Sequence, residues 1–169
     1  TRKLVLIAAM IALSVVGRII FTPVPGFKPV TAMVVITAMY FGSEAGFMTG
    51  SLSALISNFY FGQGPWTPFQ MFSWGILGFI AGIIARQLRE NKVVLAIYGI
   101  VSGVLYSFLM DVWTVLSADG YFNFSRYLAA VAAAAEFTVI YAVSNVIFLL
   151  LFAKPIGKML ERIKVKYEL

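Results

Sequence analysis

Residues 93–116 read Val93-Val94-Leu95-Ala96-Ile97-Tyr98-Gly99-Ile100-Val101-Ser102-Gly103-Val104-Leu105-Tyr106-Ser107-Phe108-Leu109-Met110-Asp111-Val112-Trp113-Thr114-Val115-Leu116, with one charged residue, Asp111, in the whole run. A helix rises about 1.5 Å per residue, so such a run outreaches the roughly 30 Å of hydrocarbon in a bilayer. The stretch predicts a membrane-spanning helix. The rest of the chain has the same character: of 169 residues 61% are hydrophobic and 12% charged, and the mean hydropathy is +0.92. Soluble domains carry roughly a quarter charged residues. A soluble globule of this size cannot hide that much apolar surface, which excludes a soluble enzyme, and the composition equally excludes a disordered chain.

Working outward from that run, punctuation divides the chain into six apolar segments. Upstream, the charged connector Arg86 to Lys92 precedes it, and a fourth segment covers about 69–85. The break Gly62-Gln63-Gly64-Pro65 separates this from a third segment, about 47–61. Gly42-Ser43-Glu44-Ala45-Gly46 separates the third from a second, 29–41, which Pro29 is well placed to start. The turn Pro23-Val24-Pro25-Gly26 ends a first segment at about 4–21. Downstream, the polar stretch Ser117 to Asn123 leads into a sixth segment, about 127–152, and a basic tail follows at 154–169. The expectation is an all-α integral membrane protein: six transmembrane helices in a compact bundle with an outward-facing ligand cavity, forming one domain over residues 1–169. The second segment is short, 13 residues or about 20 Å of helix. Either it starts below the outer surface, or it forms a re-entrant pair with the third. In both cases the loop Pro23–Lys28 dips into the bundle. Irregular backbone at that depth is tolerated only where it is buried in protein or lines a cavity.

Charge sets the sidedness. The net charge is +6, but in a membrane protein the positions of the cations matter more than their sum. The side of the N-terminus carries Arg2, Lys3, Arg86, Arg89, Lys92, Lys154, Lys158, Arg162, Lys164 and Lys166. The other side has only Lys28 and Arg126, with Arg18 inside a span. Both termini are therefore assigned to the cytoplasm, and the tail reads as a cytoplasmic surface helix held at the lipid interface. No nucleic-acid partner is expected.

The chemistry available is narrow. There are no cysteines and no histidines, so disulfides, thiolate nucleophiles, imidazole bases and Cys/His metal sites are excluded, and no metal site is expected. Three ionisable residues fall within spans: Arg18, Asp111 and Glu136. Such residues usually face the bundle interior. Arg18 and Asp111 lie at matching depth, which predicts an intramembrane ion pair, with direct ligand contact as the alternative. Gly103, Ser107, Asp111 and Thr114 share one helical face; Thr138, Tyr141 and Asn145 share another. Glu136 points nearly opposite to Asn145, so Glu136 and the Thr138/Tyr141/Asn145 stripe cannot both line one cavity. Sequence leaves open which of them does.

The densest recognition chemistry runs from Asn58 through Tyr60, Gln63, Trp66, Thr67 and Gln70 to Trp74. Aromatic faces with amides and a hydroxyl between them suit a large, amphipathic, uncharged ligand. An interfacial aromatic belt would explain Tyr60 and Trp66 but not Gln63, Gln70 and the Gly-x-Gly-Pro turn. No Gly-Lys-Ser/Thr follows these glycines, so the chain has no P-loop of its own. On the first segment Ala8 and Ala12, widened by Ala9, form a small-residue face open to close helix approach.

Taken together, these features resemble an S component of the energy-coupling factor (ECF) transporters. Ala8-Ala9-Met10-Ile11-Ala12 matches that family's Ala-x-x-x-Ala motif. Phe27-Lys28-Pro29 with Phe61-Gly62-Gln63-Gly64-Pro65-Trp66-Thr67-Pro68-Phe69-Gln70-Met71-Phe72 is most similar to the cobalamin-specific branch. The resemblance implies the substrate-binding subunit of a vitamin importer in a bacterial plasma membrane, with no enzymatic activity and no cofactor of its own. The transported ligand would be cobalamin or, alternatively, a queuosine precursor or riboflavin. Its partners would be membrane lipid, a transmembrane T component docked at Ala8, Ala9 and Ala12, and two ABC-type ATPases that use the ATP. The subunit would capture substrate facing out and topple on the T component to release it. Lys28, Asn58, Tyr60, Gln63, Trp66, Thr67, Gln70, Trp74, Asp111, Glu136 and Tyr141 are the expected substrate contacts. A lipid enzyme using Asp111 and Glu136, or a small channel, fits less well, because the spans carry no clustered acidic motif and no repeated polar face.

Overall fold

A computed structural model describes residues 1–169 and contains eight helices and no strand. They are α1 (Arg2–Ile20), α2 (Val30–Phe41), α3 (Ser43–Phe61), α4 (Thr67–Ile83), α5 (Ala85–Glu90), α6 (Lys92–Asp119), α7 (Phe124–Ala133) and α8 (Ala135–Lys166). Three of them, α1, α6 and α8, are long and apolar enough to cross a membrane; α2 and α4 are apolar but shorter.

The short second helix is the centre of the molecule. Every residue of α2 is buried except Tyr40, because α1, α3, α4 and α8 all pack around it. A helix that is apolar on every side is one that has protein on every side. Its length follows from the same fact: α2 need only fill the core, at about 18 Å, while its neighbours face lipid. Gly42, at φ +97°, joins α2 to α3 through a single residue.

The closest helix pair is α3 with α4, and glycine makes it possible. A Cβ on Gly46 would strike the backbone carbonyl of Gly78, one on Gly50 the carbonyl of Trp74, and one on Gly82 the backbone of Ser43. Helices that touch backbone to backbone gain dispersion contacts along their length, which matters in lipid, where no hydrophobic force drives association. The α6–α8 pair is built the same way at Gly103, which lies against Ala142. Asn145 locks it by donating to Ser102 Oγ (3.1 Å) and to the Gly99 carbonyl (3.2 Å).

Two expected boundaries move. The sixth segment is two helices, α7 and α8, parted at Ala134. The run Ala129–Ala135 holds neither glycine nor proline, so nothing in it marks the break. None of α7 is buried; Asn123 caps it by accepting from the Arg126 backbone N–H. The basic tail, in turn, is no separate surface helix. It continues α8 through Pro155 as far as Lys166.

The cations gather as the charge count predicts. Arg89 and Lys164 both donate to carbonyls at the C-terminus of α2, Met39 and Tyr40 respectively, where the helix dipole favours positive charge. Arg2 lies over the Tyr167 ring at 5.5 Å, so both ends of the chain meet at this end of the bundle.

Candidate functional site

At the opposite end of the bundle, five helices and one loop bring polar and aromatic side chains to one place. Arg18 comes from the last turn of α1 and Lys28 from the loop that follows it. Ser57 and Asn58 end α3. Thr67, Gln70 and Trp74 open α4. Tyr106 comes from α6 and Tyr141 from α8.

The polar groups form a directed relay. Arg18 Nη1 donates to Ser57 Oγ (2.6 Å) and to Asn58 Oδ1 (2.8 Å). Asn58 Nδ2 donates onward to Gln70 Oε1 (2.7 Å) and to Thr67 Oγ1 (3.2 Å). Gln70 Nε2 then donates to Tyr106 Oη (3.0 Å). A guanidinium at the head of the chain fixes which way each amide points, since it can only donate. The relay leaves the Tyr106 hydroxyl as an acceptor with its own proton still free to give.

The aromatic groups close over this relay. Trp74 stacks on Tyr106 with centroids 5.1 Å apart and planes 10° apart, and Tyr141 meets Tyr106 edge-on at 5.4 Å. Arg18 sits 4.3 Å from the Phe61 ring centroid and 5.1 Å from that of Trp74. Lys28 Nζ lies among three rings, Trp74 (5.3 Å), Tyr141 (5.3 Å) and Tyr106 (5.8 Å). Where an open cavity is expected, these side chains pack against one another, and Trp74 and Tyr106 are buried.

The loop that carries Lys28 is held on three sides. Its backbone N–H donates to Ser144 Oγ (3.0 Å), and the same hydroxyl donates back to the Lys28 carbonyl (3.1 Å). Phe27 packs between Phe21 and Phe148. Gly26, at φ +78°, lets the chain turn where a side chain would press on Ile140 and Tyr141. Of the loop expected to dip into the bundle, only Gly26 to Lys28 lie inward; Pro23, Val24 and Pro25 stay exposed. Burial pushes the Lys28 ammonium down to about 7, with the nearby positive charge of Arg18 adding to the effect.

Of the expected contact residues, Lys28, Asn58, Thr67, Gln70, Trp74 and Tyr141 come together here. Tyr60, Gln63 and Trp66 do not; all three are exposed. Gln63 supports the site from outside, accepting from Thr67 Oγ1 (2.9 Å) and donating to the Leu55 carbonyl (2.7 Å).

The expected Arg18–Asp111 ion pair does not form. Arg18 is taken up by Ser57 and Asn58, and the two ion pairs in the protein are Arg86–Glu90 and Arg126–Asp119. On α6 it is Tyr106, and not Asp111, that the relay starting at Arg18 reaches. Asp111 is buried with Oδ2 lacking a hydrogen-bond partner. Glu136 is exposed, beside Val24 and Pro25 on the outer surface of α8. It is the Thr138/Tyr141/Asn145 stripe that turns inward: Thr138 bonds Ser107 (2.6 Å), Asn145 bonds α6, and Tyr141 reaches the aromatic cluster. Ser57, Phe61 and Tyr106 were missed. The only sign of Tyr106 was a hydroxyl-bearing ring in the middle of an apolar span.

On α1, Ala8, Ala9 and Ala12 are all exposed, with Val5, Leu13 and Val16 around them. That face is open at the surface of the bundle.

A family model described as ECF-type riboflavin transporter, S component, matches residues 1–162. No curated protein and no solved structure matches the chain. The match supports the S-component resemblance. It corrects the branch, which is the one named for riboflavin and not for cobalamin.

Proposed function

The chain belongs to the family of ECF-type riboflavin transporter S components, and from this premise we propose that it captures riboflavin at the outer face of the membrane for import by an ECF complex. An S component is the substrate-binding subunit of a transporter and not an enzyme. On this reading the helices form a six-span bundle, α1 to α4 with α6 and α8, and both termini lie in the cytoplasm of a bacterial cell.

One observation carries the substrate: flat aromatic walls, Trp74, Tyr106, Tyr141 and Phe61, stand beside an oriented row of amides and hydroxyls, Asn58, Thr67 and Gln70. A tricyclic flavin ring is flat, stacks on such faces and carries its polar atoms at one edge. A corrin is far bulkier and would need this cluster to part widely. Thr67 and Gln63 tie the Gly62–Trp66 turn to the relay, and Ser144 ties the Lys28 loop to α8, so these two segments are the parts that open for the ligand.

The exposed face of Ala8, Ala9 and Ala12 is the proposed seat of the T component. ATP is hydrolysed by the ATPases bound to that partner, and the subunit itself binds and releases.

The test is a fluorescence titration of the purified full chain in detergent. Riboflavin is expected to lose its emission saturably, close to one ligand per chain, as its ring stacks on the indole. Saturable cobalamin binding with no effect of riboflavin would return the site to the corrin reading. Absence of any flavin response from a folded sample would remove riboflavin.

A further inference from the structure

Two cations, Arg18 and Lys28, enter the aromatic cluster, and no carboxylate pairs with either. Neither Arg18 nor Lys28 takes part in an ion pair; the protein's two pairs lie elsewhere. A charge taken out of water without a counter-charge is among the most costly arrangements a fold can hold. Here there are two, both packed over the same indole.

Counting donors against acceptors points the same way. Arg18 uses Nη1 for Ser57 and Asn58, leaving its other N–H groups to ring faces. Lys28 has three N–H groups, and its neighbours are three ring faces. Trp74 Nε1–H is buried with no partner, and the Tyr106 hydroxyl accepts from Gln70 with its own proton unplaced. Around the two cations the unmatched groups are donors; the one orphaned acceptor at this end, Asp111 Oδ2, belongs to a carboxylate that pairs with neither cation. Ring faces hold a cation through their quadrupole, but they offer no full acceptor to an indole N–H.

We propose that the transported molecule carries an anionic group, a carboxylate or phosphate, which seats between Arg18 and Lys28 within reach of Trp74 Nε1. The proposal takes the place of capture from the functional reading above and adds to it, since riboflavin itself is uncharged at neutral pH. Among flavins, the site is built for a form bearing phosphate. The anion supplies the missing charge and accepts from several of the donors at once, and charge-assisted bonds of this kind are about twice as strong as neutral ones.

Two arms test this with the full chain in detergent. The first compares riboflavin with riboflavin 5′-phosphate. The phosphate form is expected to bind about tenfold tighter, and this preference should shrink toward unity in Lys28→Met and by a smaller factor in Trp74→Phe, which keeps the stack but lacks the N–H. Equal binding of the two flavins to the unaltered chain overturns the proposal and leaves the flavin reading standing. The second arm needs no flavin: inorganic phosphate replaces chloride at constant ionic strength while the thermal midpoint is read. Phosphate is expected to raise the midpoint of the unaltered chain and of Lys28→Arg but not of Lys28→Met. If neither flavin binds and phosphate still protects in this pattern, the flavin reading fails and the anion site stands. If phosphate protects no variant and the 5′-phosphate gains nothing, the anion site is refuted.

Discussion

Lys28 brings an ammonium group into a box of three rings, and its proton is held weakly there, near 7 against an ordinary 10.5. Arg18 on α1, Tyr106 on α6 and Tyr141 on α8 are the groups that face it. Between these two values the unfolded chain binds a proton that the fold does not, so stability must rise with pH across that window. The burden of the charge is full below about 7 and is gone near 10.5. Lys28→Met should therefore stabilise the ligand-free protein most at about pH 6, with the gain in thermal midpoint fading by about pH 9.5. A gain that stays constant over that range would mean that the ammonium is not the cause. At this scale the sequence was informative about residue types and less so about partners. The amides and rings of Asn58, Thr67, Gln70 and Trp74 could be read because they crowd one segment. Arg18 could be found but not paired: its depth follows from counting residues, whereas its partner depends on how α1 is rotated against α3.

Among the elements, the α3–α4 contact sets the frame of the site, since Asn58 ends one helix and Gln70 opens the other. Gly78→Val places two methyl groups against the Gly46 backbone, where neither side can yield. The expected cost is about 3 kcal/mol or more, seen as loss of folded protein in detergent. Gly42→Ala separates sterics from strain. A Cβ there meets nothing, yet φ is +97°, so the cost should be smaller, about 1–3 kcal/mol, and appear as a lowered midpoint with the protein still folded. Equal damage from both changes would argue against close backbone packing. Glycines and prolines marked most boundaries in the sequence, which is why the first four helices fall close to where punctuation places them. The α7–α8 break was illegible because an alanine run is neutral on where a helix stops. The continuity of α8 through Pro155 was hidden by the opposite effect, a breaker that the helix accommodates.

For the whole molecule, the bundle was legible and the ligand was not. Apolar runs and the bias of cations to one end follow from the solvent on each side, and that solvent acts on every residue. A substrate is chosen by a few side chains: the rings and amides suit any large amphipathic ligand, and the segments around Lys28 and Gln63 resemble a cobalamin branch while the matching family is the one named for riboflavin. The exposed alanines of α1 are tested at this scale. Ala8→Trp together with Ala12→Trp should abolish most uptake in cells that express the complete transporter, while flavin binding by the purified chain changes less than about twofold. Unimpaired uptake would move the docking surface elsewhere. The enclosure of α2 bears, lastly, on how the protein is made. At 12 residues α2 is too short to be held in a bilayer by its own length, and part of its cover is α8, which begins 94 residues after α2 ends. During synthesis α2 must wait beside α3, provisionally sheltered, until the last helix has left the ribosome. A chain stalled before α8 would present quality-control proteases with a helix that has no settled place in either water or lipid.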